Sequence, residues 1–305
     1  MNEVRPKKAL GQHFLTDQNI AKRIVEQLSP DVESVIEVGA GTGVLTQFLV
    51  QDVLDKFHVI EIDKESIAYL QKHFPMLGER LIEGDFLRAD LSQFGQRNMA
   101  IIGNFPYNIS SQIFFQVLKY KEQVVEVVGM VQKEMAERMA AKEGSKTYGI
   151  LSVLMQAWYD IDYLFTVHEN VFNPPPKVKS AVIKMRRNVV TDLGCDEKLF
   201  VSIVKQAFNQ RRKTMRNSLR TLLNPEIIDN EVFNKRPEQL SVQEFIDLTN
   251  LIESNRFYEY NRLDFIYANA FSGRKCLTSR PSLTHWRIKV DEISNIGVFS
   301  TVTEG

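Results

Sequence analysis

Between residues 31 and 132 the chain alternates short apolar runs with amphipathic stretches, and that alternation admits few folds. The runs are SVIEVG (34–39), FHVIEID (57–63), RLIEGD (80–85), MAIIGN (99–104) and VVEVVGMV (124–131), with helical spacing over 43–51, 64–74 and 110–121. Apolar runs of about four to eight residues separated by helical segments predict βαβ units: a parallel sheet covered by helices on both faces. Ahead of them, Ile20, Ile24 and Leu28 recur at helical spacing behind Thr16 and Asp17, two candidate N-caps. Helices are expected next at 133–142 and 149–159. YLFTVHENVF (163–172) and VKSAVIKM (178–185) then read as antiparallel strands flanking a turn at Pro174, Pro175 and Pro176.

From about 190 the pattern becomes all helical. Leu199, Ile203 and Ala207 share one stripe of a helix expected to run on through QRRKTMR, and Ser241 with Glu244 forms a capping box before FIDLTNLI. The expected organisation is a sheet domain over 1–188 that includes an N-terminal contacting segment, a small helical domain over 189–254, and a tail over 255–305 with no assignable architecture. A chain of 305 residues that is 44% hydrophobic and 25% charged can bury one sizeable core and a smaller second one. No apolar run reaches the roughly 18 residues of a membrane span, since VVEVVGMV is short and carries Glu126. Lys7 and Lys8 have no apolar segment behind them, so no secretory signal is read. Cys195 and Cys276 offer neither a disulfide framework nor metal-ligand spacing, which fits a reducing cytoplasm and no metal site. Net charge is zero but segregated. Residues 171–220 hold twelve Lys/Arg against three acids, and residues 51–100 hold nine acids against six bases. Such a division suits a polyanion lying on one face.

Glu37-Val-Gly39-Ala-Gly41-Thr-Gly43 follows a strand and opens a helix, at the carboxyl edge where ligands bind in doubly wound sheets. Glycines there let a ligand approach the backbone. Glu61 ends the second strand 22 residues after Gly39, the place from which a carboxylate accepts from a ribose hydroxyl pair. A dinucleotide enzyme would share that feature. Two details favour another ligand: the spacing is GxGxG instead of GxGxxG, and the charge expected on Glu37 would repel a pyrophosphate. S-adenosylmethionine, an adenosine bearing a sulfonium and an ammonium, suits the site better. Asp85 is placed to accept from its adenine amino group.

IIGNFPYN (101–108) ends the fourth strand at the same edge. Pro106 biases Phe105 to an extended conformation and stiffens the turn. Tyr107 presents a flat face for a nucleobase. Carbonyl oxygens from Asn104 and the loop backbone, accepting from an exocyclic amine, would stabilise the positive charge that grows as a methyl arrives. No general base is then needed before attack. Arg211, Arg212, Lys213 and Arg216, fanned about 100° apart on the expected helix, suit a phosphate backbone.

In this order the motifs GQHFL (11–15), EVGAGTG (37–43), VIEID (59–63), EGD (83–85), NFPYNIS (104–110) and VFNPPPKVKSAV (171–182) resemble the ribosomal RNA adenine N6,N6-dimethyltransferases, over roughly 1–254. The branch acting on two adjacent adenosines in the 3′-terminal hairpin loop of small-subunit (16S) RNA is the nearer likeness. The resemblance implies a Rossmann-like, S-adenosylmethionine-dependent methyltransferase sheet with a small C-terminal helical domain. It also implies that the partner is small-subunit ribosomal RNA or the 30S particle and that the enzyme is a cytoplasmic monomer. Carried onto this sequence, it puts His13, Leu15, Gly39 and Gly41 on the cofactor, Glu61 on its ribose, Asp85 on its adenine, and Asn104 near methyl and target amine. Tyr107 and Phe172 would sandwich the flipped adenine, and Lys7, Lys8, Lys177 and the 211–216 cluster would contact RNA. Where this chain has His13 the family commonly has Asn. Three other readings stay open: a large-subunit methyltransferase of the macrolide-resistance type, an NAD-dependent oxidoreductase, and a non-catalytic RNA-binding or assembly factor.

Overall fold

A computed structural model describes residues 4–95 and 97–255. Its strands are β1 (Phe14–Leu15), β2 (Ser34–Val38), β3 (Phe57–Glu61), β4 (Leu81–Glu83), β5 (Met99–Asn104), β6 (Val124–Gln132), β7 (Tyr159–Val167), β8 (Phe172–Asn173) and β9 (Ser180–Arg187). Seven of them form one sheet in the order β4-β3-β2-β5-β6-β9-β7. β4 through β6 run parallel, and β9 is antiparallel to both β6 and β7. The strand order reverses between β2 and β5, so the crevice at their carboxyl ends is the topological switch point. β1 and β8 form a separate antiparallel pair, with Leu15 opposite Phe172.

The helices are α1 (Gln18–Val25), α2 (Thr46–Asp52), α3 (Lys64–His73), α4 (Ser110–Lys119), α5 (Lys133–Met139), α6 (Ile150–Gln156), α7 (Glu197–Asn209) and α8 (Met215–Ser218), followed by a helix over 242–255. Neighbouring strand residues divide between two cores. Ile36 and Ile101 pack with α4 and α6, whereas Val35 and Ala100 pack with α1, α2 and α3. Burial on both faces explains why these strands read as unbroken apolar runs. Asp17 caps α1, its carboxylate accepting from Asn19 N at 2.9 Å and Ile20 N at 3.1 Å. The capping box forms too: Ser241 N donates to Glu244 Oε2 at 2.9 Å and Glu244 N donates to Ser241 Oγ at 3.2 Å.

Three local expectations shift. β7 begins at Tyr159, inside the stretch read as helix, because Tyr159, Ile161 and Tyr163 alternate. α7 stops at Asn209 and the chain turns before α8, so Arg211, Arg212 and Lys213 lie in a turn and do not fan around a helix. Asn209 to Thr214 contains no apolar residue, so nothing there would hold another helical turn against the core between buried Phe208 and Met215. Finally, the helical region beyond 189 shares a core with the sheet. Phe200, Phe208, Phe233 and Phe245 belong to the same cluster as Ile101 and Tyr148, and residues through Asn255 form one compact unit. The tail read over 255–305 lies, but for Asn255, outside the described residues.

A buried ion pair ties α1 to the far half of the sheet. Glu126 on β6 is 2% exposed, pairs with Lys184 of β9 at 3.0 Å and accepts from Ser29 N at 2.8 Å. Lys184 Nζ also donates to Gln27 O at 2.5 Å. Removing one member of such a pair strands the other charge in the core. Lys184→Met is therefore expected to cost about 3 kcal/mol in urea denaturation, and a loss below about 1 kcal/mol would show that Ser29 alone holds Glu126.

Candidate active site

The glycine loop is shaped by backbone conformation. Gly39, Gly41 and Gly43 have φ of 70°, 58° and 77°, where a side chain is disfavoured. A Cβ on Gly41 would also lie 2.7 Å from the Phe14 ring. All three glycine N–H groups are committed inside the protein: Gly39 N to Ile60 O at 3.0 Å, Gly41 N to Glu61 Oε2 at 2.9 Å, and Gly43 N to Ala40 O at 2.8 Å. Glu61, 3% exposed, also accepts at Oε1 from Ile62 N and Asp63 N, each at 2.9 Å. Burial raises its pKa against these three hydrogen bonds. Glu37 behaves differently from expectation. It is 1% exposed, accepts from Thr46 Oγ1 at 2.7 Å, and burial pushes its pKa up to about 8. At neutral pH it is largely protonated and carries no repelling charge.

A cavity opens beside the loop, lined by Gly39, Gly41, Glu61, Asp85, Asn104 and Tyr107 among others. Ile60, Ile62, Phe86 and Leu87 give it an apolar wall, and Ile62 stays 52% exposed at the lip. Asp85 caps the turn that follows it, its Oδ1 accepting from Leu87 N at 2.9 Å, with Arg88 3.6 Å from Oδ2. The lining therefore combines acceptors with an apolar wall, a combination that fits an adenosine carrying positive charge.

The motif Asn104-Phe105-Pro106-Tyr107 splits its two aromatics. Phe105 is 1% exposed and stands edge-on to Phe114 at 5.8 Å. It fills a slot left by two glycines paired across β5 and β6: a Cβ on Gly103 would lie 2.9 Å from its ring, and one on Gly129 2.4 Å. Tyr107 turns to the cavity, its hydroxyl 2.5 Å from Ser180 Oγ. Burial raises its pKa. Asn104 Nδ2 donates to the His13 carbonyl at 2.8 Å, leaving Oδ1 as its acceptor for anything in the cavity. The Pro106 carbonyl is taken by Ile109 N and Ser110 Oγ, whereas no donor among the described residues reaches Phe105 O.

Residues 7–15 cross this cavity as a strap, with Leu10, Gly11, Gln12, His13 and Phe14 in its lining. Lys7 has a partner other than the expected RNA: it pairs with Asp63, which is 2% exposed, and with Glu65 at 3.1 Å. Gln12 Nε2 donates to Asp63 Oδ2 at 3.2 Å. At the other end the His13 ring stacks on Tyr107, centroids 5.3 Å apart, and its Nδ1–H donates to Pro174 O at 2.8 Å.

The remaining expected residues separate. Leu15 is buried at 2% and lines a small cavity behind the loop with Gly39 and Asn104. Phe172 is 4% exposed, packs in the cluster around Leu15 and does not line the main cavity; the β1–β8 pairing draws it inward. The ring that meets Tyr107 here is His13, not Phe172. Lys8, Lys177, Arg212 and Lys213 are exposed. Arg211 is engaged by Ser145 O at 3.2 Å, and Arg216 by Asp229 and Asn234, each at 3.3 Å. Sequence reading missed Gln12, Ile62, Asp63, Gly129 and Ser180. Only Gly129 signalled itself, as a glycine inside a strand.

A profile of the ribosomal RNA adenine dimethylase family matches residues 4–254. The chain belongs to that family. It is 56% identical over 274 residues to a ribosomal RNA small subunit methyltransferase A of Phocaeicola vulgatus, covering 88% of this chain and 96% of the relative. It is 58% identical over 252 residues to the protein of that name from Parabacteroides distasonis, covering 82% and 94%. Among solved structures, a dimethyladenosine transferase from Plasmodium falciparum superposes with a TM-score of 0.66 at 24% identity, covering 80% of this chain and 98% of that one. The 23S rRNA methyltransferase ErmE follows with a TM-score of 0.58 at 23% identity, covering 78% and 99%. At those identities the two structures establish the fold, a Rossmann-like α/β methyltransferase sheet.

Two outcomes follow from the site's packing. Gly129→Ala drives a methyl into the Phe105 ring; it should cost about 1–3 kcal/mol of stability and lower methyl-transfer kcat by about 10²-fold as Asn104 and Tyr107 shift. An unchanged kcat would detach the glycine slot from the site. For Glu37 the folded pKa lies above its ordinary value of 4.5, so its contribution to stability is full below that pH and is lost as pH rises through about 8. Glu37→Gln should gain on the parent chain by a few kcal/mol between about pH 4.5 and 8 in urea denaturation, and a difference independent of pH would contradict the raised pKa.

Proposed function

We propose that this chain uses S-adenosylmethionine to dimethylate the N6 amines of two adjacent adenosines in the 3′-terminal hairpin loop of small-subunit ribosomal RNA. The relatives named as small-subunit methyltransferases favour this substrate over large-subunit RNA. The observation that carries the chemistry is the Asn104 amide, fixed by donation from Nδ2 to the His13 carbonyl at 2.8 Å.

When bound, S-adenosylmethionine supplies an electrophilic methyl on a sulfonium. Gly39 and Gly41 would leave its methionine part room, Glu61 would accept from one ribose hydroxyl with the lone pair its three backbone donors leave, and Asp85 would accept from the adenine amine. In the first transfer Asn104 Oδ1 and the Phe105 carbonyl accept from the two N–H groups of the target amine, and in the second one of them accepts from the single N–H that remains. Both acceptors stabilise the charge that grows on nitrogen, and together they aim its lone pair. Pro106 O takes no part, because Ile109 N and Ser110 Oγ occupy it. Tyr107, fixed through Ser180, stacks on the target base. Lys8, Lys177, Arg212 and Lys213 remain exposed for phosphates, while Lys7 belongs to the strap.

Small ribosomal subunits that lack the modification, incubated with protein and tritiated methyl donor, test the reading. The wild-type chain should label adjacent adenosines. Asn104→Ala should lower the rate at least about 10²-fold with RNA affinity unchanged. Label in large-subunit RNA instead, or an Asn104→Ala variant as active as wild type, would refute it.

A further inference from the structure

We propose that His13 is a latch on the target-base site: its ring and the incoming purine compete for one face of Tyr107, and the purine stacks only after displacing that ring. The inference rests on the reading above and adds a positioning residue to it. His13 and Tyr107 rings are 29° from parallel with centroids 5.3 Å apart. A purine inserted between them would need about 7 Å, twice the roughly 3.5 Å carbon contact distance. Both residues line the same cavity as Asn104. The His13 carbonyl sits 2.8 Å from Asn104 Nδ2, and a target amine must approach Oδ1 of that same amide. The imidazole and the purine thus require the same space.

Displacing the ring has a second effect. His13 Nδ1–H holds Pro174 O at 2.8 Å, in the turn directly after Phe172. That turn is tied to the strap again by the β1–β8 pairing and by Thr16 N on Val171 O at 2.8 Å. When His13 leaves, the proline turn loses one of these ties. Phe172, now buried against Leu15, gains the freedom to swing toward the base. Replacement of one stacked ring by another keeps Tyr107 covered and limits its wetting.

Two substitutions separate ring from hydrogen bond. His13→Asn retains an N–H for Pro174 O and loses the ring; His13→Phe retains a ring and loses the N–H. With the full chain, steady-state methyl transfer at saturating S-adenosylmethionine gives KM for RNA. An RNA hairpin carrying 2-aminopurine at the target position reports base stacking by quenching. His13→Asn is expected to lower KM for RNA about threefold to tenfold, the scale of one lost aromatic stack, with stronger quenching, whereas His13→Phe leaves KM at or above the wild-type value. Equal KM and quenching in His13→Asn and wild type would overturn the latch, as would an equal fall in both variants, which would make the Pro174 bond the barrier. A wild-type chain that transfers no methyl would instead remove the function reading and the latch with it.

Discussion

The site depends on one ring in a slot. Gly103 and Gly129 face each other in register on β5 and β6, and the space their missing side chains leave is filled by Phe105. A buried aromatic contributes a large apolar area and a fixed orientation, so the residue after Asn104 is pinned into the core. With Phe105 anchored and Pro106 holding its own φ, Asn104 and Tyr107 have little freedom left. Two aromatics in one loop thus serve opposite ends: Phe105 fixes the turn from below, and Tyr107 uses the fixed turn above. Transfer to an amine demands alignment within about half an ångström, which a loop without such an anchor does not hold.

From this anchor the strap runs between Asp63 and Tyr107. At one end Asp63 links it to the donor side: its N–H holds Glu61 Oε1, and its carboxylate receives Lys7 and Gln12. Burial works against the Asp63 carboxylate, yet Lys7, Gln12 and the Glu65 N–H together hold its pKa below the ordinary value. At the other end the His13 carbonyl orients Asn104 and its ring covers Tyr107. A single short segment therefore touches both Asp63 and the Asn104–Tyr107 turn.

The sheet was legible because its strands are buried on both faces, which makes β2, β5 and β6 apolar-rich runs, and because Glu61 and Asn104 end their strands; Asp85 instead lies two residues beyond β4, where it caps the following turn. Local chemistry carried Asp17 and the Ser241–Glu244 box to their caps. What stayed illegible is set by long-range pairing. Phe172 reads as exposed beside three prolines, and only its pairing with β1 shows that it is drawn under Leu15. Lys7 reads as a basic tail residue, and only the β3 turn brings Asp63 to it. The turn at 210–214 is the exception, since the absence of any apolar residue between Phe208 and Met215 was visible and should have ended the helix there.

Glu37 does not decide which ligand class the glycine loop takes. A diphosphate requires unpaired N–H groups at a glycine loop, and a charged Glu37 would repel one. Glu37 is buried and largely protonated at neutral pH, so it excludes nothing. The N–H groups of Gly39, Gly41 and Gly43 are spent on Ile60, Glu61 and Ala40, so none of these three is open to a phosphate. What the crevice offers is acceptors, namely Glu61, Asp85, Asn104 Oδ1 and the Phe105 carbonyl. Such acceptors attract cations and N–H groups, which supports the proposed sulfonium donor and exocyclic amine as ligands.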